Sequence, residues 1–368
     1  MKLEFNYHKL ENTKIEKILQ KARQSKIASS FSVGYFAENN LFETCSGYLD
    51  PKHTGRKTDY STLYDLASLT KALATSLFAF HLKKSGLLDL NHNLNLYSDK
   101  LFKNCNREFG KITIRQLLNH KSGLPAYLPL YKKTNDPQKA LEIIVKLEPD
   151  PSKTFIYSDL GFIILGKLFN FLADTSWSSS ILQDFYHLLS SQDKIDFFPL
   201  KNTDNLASNS EPLKKHPPGM VHDENCQLLG PDSAHAGLFA SLRGVGSILR
   251  ALCLYYNQED SDLPNFLDHR TVKELFSQGC ANCHVNGWDK PSPTGYSSTG
   301  KSWPPTLTFG HLGFTGTACW FIPQWNFGAV LLTNRVVMGR RKKMKDLKTL
   351  RREIFTELIK IYRLEQKL

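Results

Sequence analysis

The chain has 368 residues, a formal net charge of +12, 22% charged residues and 11% aromatic residues. This length and mixture exclude a disordered or low-complexity chain and allow one large core or two lobes. No apolar run is long enough to span a bilayer, and the odd, scattered set of 7 cysteines argues for reduced thiols rather than a disulfide framework.

Residues 12–24 place Ile15, Ile18, Leu19 and Ala22 at helical spacing and predict an N-terminal helix. The alternating stretches 31–36 and 41–47 flank Glu38-Asn39-Asn40 and predict a hairpin. Next come Ser68, Leu69, Ala72, Leu73, Leu77, Phe80 and Leu82, apolar after the serine at helical spacing and ended by Gly86. Ser68 and Lys71 therefore share a helix face. In the first turn, free N–H groups and the helix dipole favour negative charge developing at Ser68. Lys71, poorly hydrated there, is expected to lose proton affinity and take the hydroxyl proton. Two other Ser-x-x-Lys matches, Ser191 to Lys194 and Ser298 to Lys301, lie in a polar run and a Pro/Gly/Ser loop, and neither leads an apolar helix.

Residues 86–235 read as helices and long loops without a strong strand signal. Pro149, Pro151 and Lys153 place Tyr157 on a loop, and the apolar run Leu160 to Leu172 follows as a helix that Asp159 is positioned to cap. Beside Lys71, the Tyr157 phenol is expected to shift towards phenolate. Pro212, Pro217 and Pro218 mark a long excursion, and Leu238 to Tyr256 reads as a helix. Cys280-Ala281-Asn282-Cys283-His284 matches the c-type haem attachment pattern. A zinc site on Cys280, Cys283 and His284 lacks evident further ligands, so the segment reads as an ordinary loop, with no metal and no cofactor expected.

Thr308 to Ile322 is glycine-rich, then β-prone, and Phe327 to Thr333 reads as a second strand after a turn at Gln324-Trp325-Asn326. Glycines 310, 313 and 316 are expected to bare a strand edge for a ligand backbone. The N–H groups of Phe314 and Ser68 can form an oxyanion hole. The C-terminal segment crowds Arg340, Arg341, Lys342, Lys343, Lys345, Lys348, Arg351 and Arg352 beside an apolar stripe of Leu347, Leu350, Ile354, Phe355, Leu358, Ile359 and Tyr362. It reads as a terminal helix docked on a sheet with its basic face in water. No nucleic-acid-binding motif accompanies it, and no nucleic-acid partner is expected.

Asp65-Leu66-Ala67-Ser68-Leu69-Thr70-Lys71, the run Ile112 to Pro125, Tyr157-Ser158-Asp159-Leu160-Gly161 and Gly310-His311-Leu312-Gly313-Phe314-Thr315-Gly316 follow one another in this order. Gly219 to Asn225 and His235-Ala236-Gly237-Leu238 lie between the last two. This series resembles the serine β-lactamase and penicillin-binding-protein superfamily, nearest the class C β-lactamases, the D-Ala-D-Ala carboxypeptidases and related esterases. The resemblance implies a two-lobed α+β (α/β) fold, an antiparallel β-sheet flanked by helices with an inserted mainly helical lobe. Residues 1–85 and 236–368 would form the sheet lobe, residues 86–235 the helical lobe, and the cleft between them the site.

By resemblance, Ser68 is the acylated nucleophile, Lys71 shares its proton, and Tyr157 is the acid/base partner. Asp159, His311, Gly313 and Phe314 would bind substrate, with His311 in the place of a lysine and Phe314 lending its N–H to the oxyanion. Two departures stand out: Asp159 replaces an asparagine, and His311-Leu312-Gly313 replaces Lys-Thr-Gly. A carboxylate at 159 repels anionic substrates unless Lys71 neutralises it, and a histidine is mostly uncharged at neutral pH. Both changes weaken recognition of a substrate carboxylate, so ester or unusual-peptide hydrolysis gains over β-lactam hydrolysis.

The expectation is a serine hydrolase cleaving an amide or ester of a wall-derived peptide, β-lactam or small ester through a Ser68 acyl-enzyme. The alternative is a non-hydrolytic or single-turnover penicillin or muropeptide sensor. Partners would be a small molecule or peptide, including peptidoglycan fragments. Met1 to His8 has no apolar core or cleavage site. That predicts a cytoplasmic protein, or a periplasmic one if the start codon is misassigned.

Overall fold

Phe31, Val33, Tyr35 and Ala37 alternate with Ser32, Gly34 and Phe36, a period of two that puts successive side chains on opposite faces of a strand. Both faces are buried, and this segment lies near the centre of the main sheet. A computed structural model describes residues 4–52, 55–189, 194–209, 211, 216–259, 262–277, 284–340 and 342–366. Its strands are β1 (Asn6–Lys9), β2 (Ser30–Ala37), β3 (Asn40–Gly47), β4 (Tyr64–Asp65), β5 (Ile195–Phe197), β6 (Leu238–Ala240), β7 (Phe309–Leu312), β8 (Ala318–Ile322) and β9 (Phe327–Thr333).

The main sheet runs β1-β3-β2-β9-β8-β7, and β4-β6-β5 form a small second sheet. The main sheet is antiparallel as expected except at its outer edge, where β1 pairs with β3 in parallel. The polar, largely exposed Asn-Tyr-His-Lys of β1 carries no alternation that the sequence could show. Nor does three-residue β5, whose partner β6 is distant in sequence, so the stretch 86–235 contains a strand that periodicity did not predict. Leu238–Ala240 likewise belongs to β6, and the helix expected from Leu238 begins at Leu242, where Ser241 caps it by accepting from the Gly244 N–H at 3.1 Å.

One face of the main sheet packs Val33, Tyr35, Trp320 and Leu331 against the N-terminal helix (Thr13–Gln24) and the C-terminal helix (Met344–Glu365). Phe36, Phe309, Cys319, Phe321 and Leu332 on the opposite face join a larger core with the Leu242–Asn257 helix and the apolar residues following Ser68. That core continues into the helical region through the Asp159–Ala173 helix. The two-lobed α+β architecture thus places β7, the edge strand, beside the Ser68 segment. The C-terminal helix docks as expected, with one correction. Arg351 is not on the wet basic face but buried, its Nη2 donating to the Gly313 and Thr317 carbonyls at 2.7 and 2.8 Å.

The glycines near β7 also serve a different purpose from the expected one. A Cβ on Gly310 would stand 2.1 Å from the Cys319 carbonyl and 2.4 Å from the Trp320 ring. One on Gly313 would stand 2.6 Å from the Leu66 carbonyl. These positions are small because the protein's own neighbours occupy the space. At Gly310 the outer edge is already paired, since Asp289 exchanges backbone hydrogen bonds with it at 2.7 and 3.0 Å.

Candidate active site

Ser68 does not sit within a regular α-helix. It occupies a turn after Ala67, whose φ of +49° is left-handed and costly for a residue with a Cβ. Buried Asp65 holds this turn, because its Oδ1 accepts from the Ala67 N–H at 2.9 Å. Its Oδ2 ties in Asn209 and the His222 N–H at 3.0 and 2.7 Å. The Thr70 hydroxyl donates to the Ala67 carbonyl at 2.7 Å and accepts from the Leu238 N–H at 3.1 Å. Lys71–Ser76 then follows as π-helical turns before the regular Leu77–Lys84 helix, a wide geometry that recurs at functional sites.

Fully buried Lys71 points its Nζ at three acceptors: Ser68 Oγ at 3.0 Å, the His235 carbonyl at 2.8 Å and Asp159 Oδ1 at 2.7 Å. The Tyr157 phenol lies beside both Ser68 and Lys71 and interacts with each. The ammonium stands 5.1 Å from the Tyr157 ring centroid and 5.6 Å from that of Phe162. Burial works against its charge, but the negative charge of Asp159 and the polar oxygen of Tyr157 outweigh burial and raise Lys71 above the ordinary lysine value. This reverses the expected loss of proton affinity. Burial also raises the Tyr157 phenol, and Asp159 offsets part of the pull of Lys71, so the expected drift towards phenolate is reversed too. Nor does Asp159 cap its helix. Ser158 takes the N-cap position, and the carboxylate turns to Lys71.

Three imidazoles surround Tyr157: His120 at 4.4 Å, His284 at 5.6 Å and His311 at 6.0 Å between ring centroids. His120 Nδ1 accepts from the Ser158 N–H at 3.0 Å, which puts its proton on Nε2. His311 Nδ1 lies 2.9 Å from the Leu312 carbonyl and so carries the proton, leaving Nε2 as a bare buried acceptor with no partner among the described residues. Burial first, then neighbouring positive groups, pushes His120 and His311 well below the histidine range, and His284 down to about 4. His311 is thus a neutral hydrogen-bonding wall. His235 moves the other way, because Asp223 Oδ1 at 2.9 Å from its Nε2 outweighs burial and raises it.

The three depressed histidines make stability pH-dependent. Their contribution is complete above the unfolded value near 6.5 and is lost as pH falls towards the folded values, because the unfolded chain then binds more protons. His284 alone, held at about 4, should remove about 2 kcal/mol between pH 7 and pH 5. Urea unfolding at the two pH values checks this, and His284→Asn should flatten the difference.

A cavity of 520 Å³ opens over the cluster, lined among others by Ser68, Tyr157, Asp159, His284, His311, Gly313 and Phe314. Six of the seven residues proposed from sequence therefore border one space, and Lys71 lies beneath it. Phe314 is held from outside by Arg335, whose Nη2 donates to its carbonyl at 2.7 Å and whose guanidinium lies 4.9 Å from the ring centroid. Sequence reasoning assigned no role to Asp65, His120, Asp223, His235 or Asp289. His120 and His235 lay inside quoted motifs, but Asp289 had no local signal. Its carboxyl lines the cavity, and burial pushes it up to about 7. Cys280 and Cys283 lie outside the described residues, and among those described no group of His, Cys, Asp and Glu is arranged to hold a metal.

A Ser-Lys pair with a tyrosine over it, at the edge of an antiparallel sheet beside a helical lobe, defines a serine hydrolase of the β-lactamase type. The chain belongs to the Beta-lactamase family, whose model matches residues 24–352. The N-acetylmuramyl-L-alanine amidase of Bacillus subtilis (strain 168) is 26% identical over 308 residues, covering 74% of this chain and 68% of that one. A class C β-lactamase structure superposes with a TM-score of 0.73 at 18% identity, over 94% of this chain and 95% of that one. EstCE1, a hydrolase with promiscuous acyltransferase activity, superposes with a TM-score of 0.71 at 17% identity, over 93% and 97%. These structural likenesses are likenesses of fold. No helix among the described residues is long and apolar enough to cross a membrane.

Proposed function

We propose that the protein cleaves an ester or amide through an acyl-enzyme on Ser68. The observation that carries this reading is the Ser68 hydroxyl at 3.0 Å from Lys71 Nζ, with the Tyr157 phenol beside it, at the floor of a substrate-sized cavity. Ser68 Oγ attacks the acyl carbon, and the N–H groups of Ser68 and Phe314 take the developing oxyanion. Tyr157, a neutral phenol, protonates the leaving group and then orients the deacylating water. The cleft between a sheet lobe (1–85 and 236–368) and a helical lobe (86–235) supplies these groups from both sides. A relative described as an N-acetylmuramyl-L-alanine amidase supports wall-derived peptides as one substrate class. Lys71 neutralises Asp159, but neutral His311 supplies no positive charge for an anionic recognition handle, which favours small esters and uncharged peptides over β-lactams.

Rapid-quench intact mass during turnover of p-nitrophenyl butyrate tests the covalent step. A gain of one butyryl group, mapped to Ser68, is expected. Release of p-nitrophenol with no acylated protein in the quenched samples would overturn it. A sensor that acylates once is the second reading, favoured by the resting charge state, in which Lys71 is an ammonium and Tyr157 a phenol. A burst of one equivalent of p-nitrophenol without further turnover would select it.

A further inference from the structure

The resting cluster holds no obvious base. The Lys71 ammonium donates to Ser68 Oγ and the His235 carbonyl and pairs with Asp159 Oδ1 at 2.7 Å, and in this charged form its nitrogen has no lone pair to offer. A neutral phenol accepts protons poorly, and burial keeps Tyr157 in that form. The His235 ring is engaged with Asp223, and His120 already carries its proton on Nε2. His311 Nε2 has no partner among the described residues, but burial, His284 and Lys71 all oppose an imidazolium there. The acidic side chain in direct contact with Lys71 is Asp159, and one side of it opens to the cavity.

We propose that Asp159 is the terminal proton acceptor of the Ser68 acylation step, reached through Lys71, and not principally a substrate-binding group. The inference rests on Ser68 being the nucleophile. Lys71 Nζ first yields one of its protons to Asp159 Oδ1, which frees the nitrogen lone pair. As the Ser68 O–H bond breaks and Oγ bonds to the acyl carbon, the Ser68 proton moves to that lone pair. Lys71 remains an ammonium and Asp159 becomes a carboxylic acid, so no charge is created inside the protein. When the tetrahedral intermediate collapses, the leaving group departs with its electron pair and takes the Tyr157 proton. The Asp159 proton returns through Lys71 to restore the phenol. Deacylation repeats the path with water in place of the serine hydroxyl. An asparagine at 159 would not accept the proton, so the carboxylate at this position gives the site its own route for the serine proton.

Single-turnover acylation by p-nitrophenyl butyrate tests the relay in Asp159→Asn and Asp159→Gly, with Ser68→Ala as control and thermal unfolding to confirm the fold. Asp159→Asn should acylate about 10²- to 10³-fold more slowly with KM within about threefold of wild type. Added formate should restore much of the rate in Asp159→Gly, where it can fill the vacated space as the proton acceptor. Acylation within about threefold of wild type in Asp159→Asn overturns the relay, as does a loss confined to KM or one that formate leaves unchanged. If Ser68→Ala itself turns over at the wild-type rate, the nucleophile assignment falls. If Ser68→Ala is inert and Asp159→Asn is not impaired, only the relay does.

Discussion

Ser68→Ala is expected to slow ester turnover by about 10⁴-fold or more while the protein stays folded. The change removes one oxygen from a half-buried position and leaves the remaining contacts of the turn in place. Asp65 still holds Ala67 at 2.9 Å, and Lys71 keeps its bonds to Asp159 and the His235 carbonyl. The lost hydrogen bonds are worth about 1 kcal/mol net, so the unfolding midpoint should move little. Catalysis responds very differently because the attacking oxygen itself is gone. Thr70, the neighbouring candidate, points its Oγ1 away to the Ala67 carbonyl and the Leu238 N–H. Steady-state turnover of p-nitrophenyl butyrate and a urea melt on the same preparation separate the two effects. Substantial activity in a folded Ser68→Ala protein would end the assignment.

The features that were legible before the structure share one property: their physics is local or their order is diagnostic. Ser68 and Lys71 lie three residues apart, and any helical winding brings them together. The hairpin of β2 and β3 is written in adjacent alternating segments, and the terminal helix in its apolar stripe. What the sequence hid is decided by distant pairings. Asp159 was legible as an unusual carboxylate, but only the 2.7 Å contact shows that it holds Lys71 charged. Two proton-affinity expectations turned on that contact, and both reversed. His120, His284 and His311 come from separate segments, so their gathering around Tyr157 has no signature along the chain. Arg351 sits among basic neighbours, and only its docking on Gly313 and Thr317 distinguishes it from them. The glycines of the β7 region were read as room for a ligand because the packing of Trp320 and Leu66 against them could not be seen.

The buried ion pair also predicts that stability and catalysis separate at Lys71. Lys71→Met keeps the length of the side chain but removes the cation that faces Asp159 and the donor to the His235 carbonyl. Breaking one partner out of a buried pair costs about 3–5 kcal/mol, and the partial exposure of Asp159 places this case at about 3 kcal/mol. Adding Asp159→Asn replaces the stranded carboxylate by a neutral amide and should restore about 1–2 kcal/mol, because much of the penalty comes from the uncompensated charge. Activity should not follow. Both variants lack the amine that links Ser68 to its proton acceptor, so turnover should stay about 10³-fold down in each. Urea melts of wild type, the two single variants and the double variant close a cycle for the pair, and ester turnover is measured on the same four proteins. Equal stability of Lys71→Met and the double variant would mean that the charges are not coupled. Recovery of turnover in the double variant would mean that the amine takes no part in the reaction, and that the 3.0 Å contact with Ser68 is structural only.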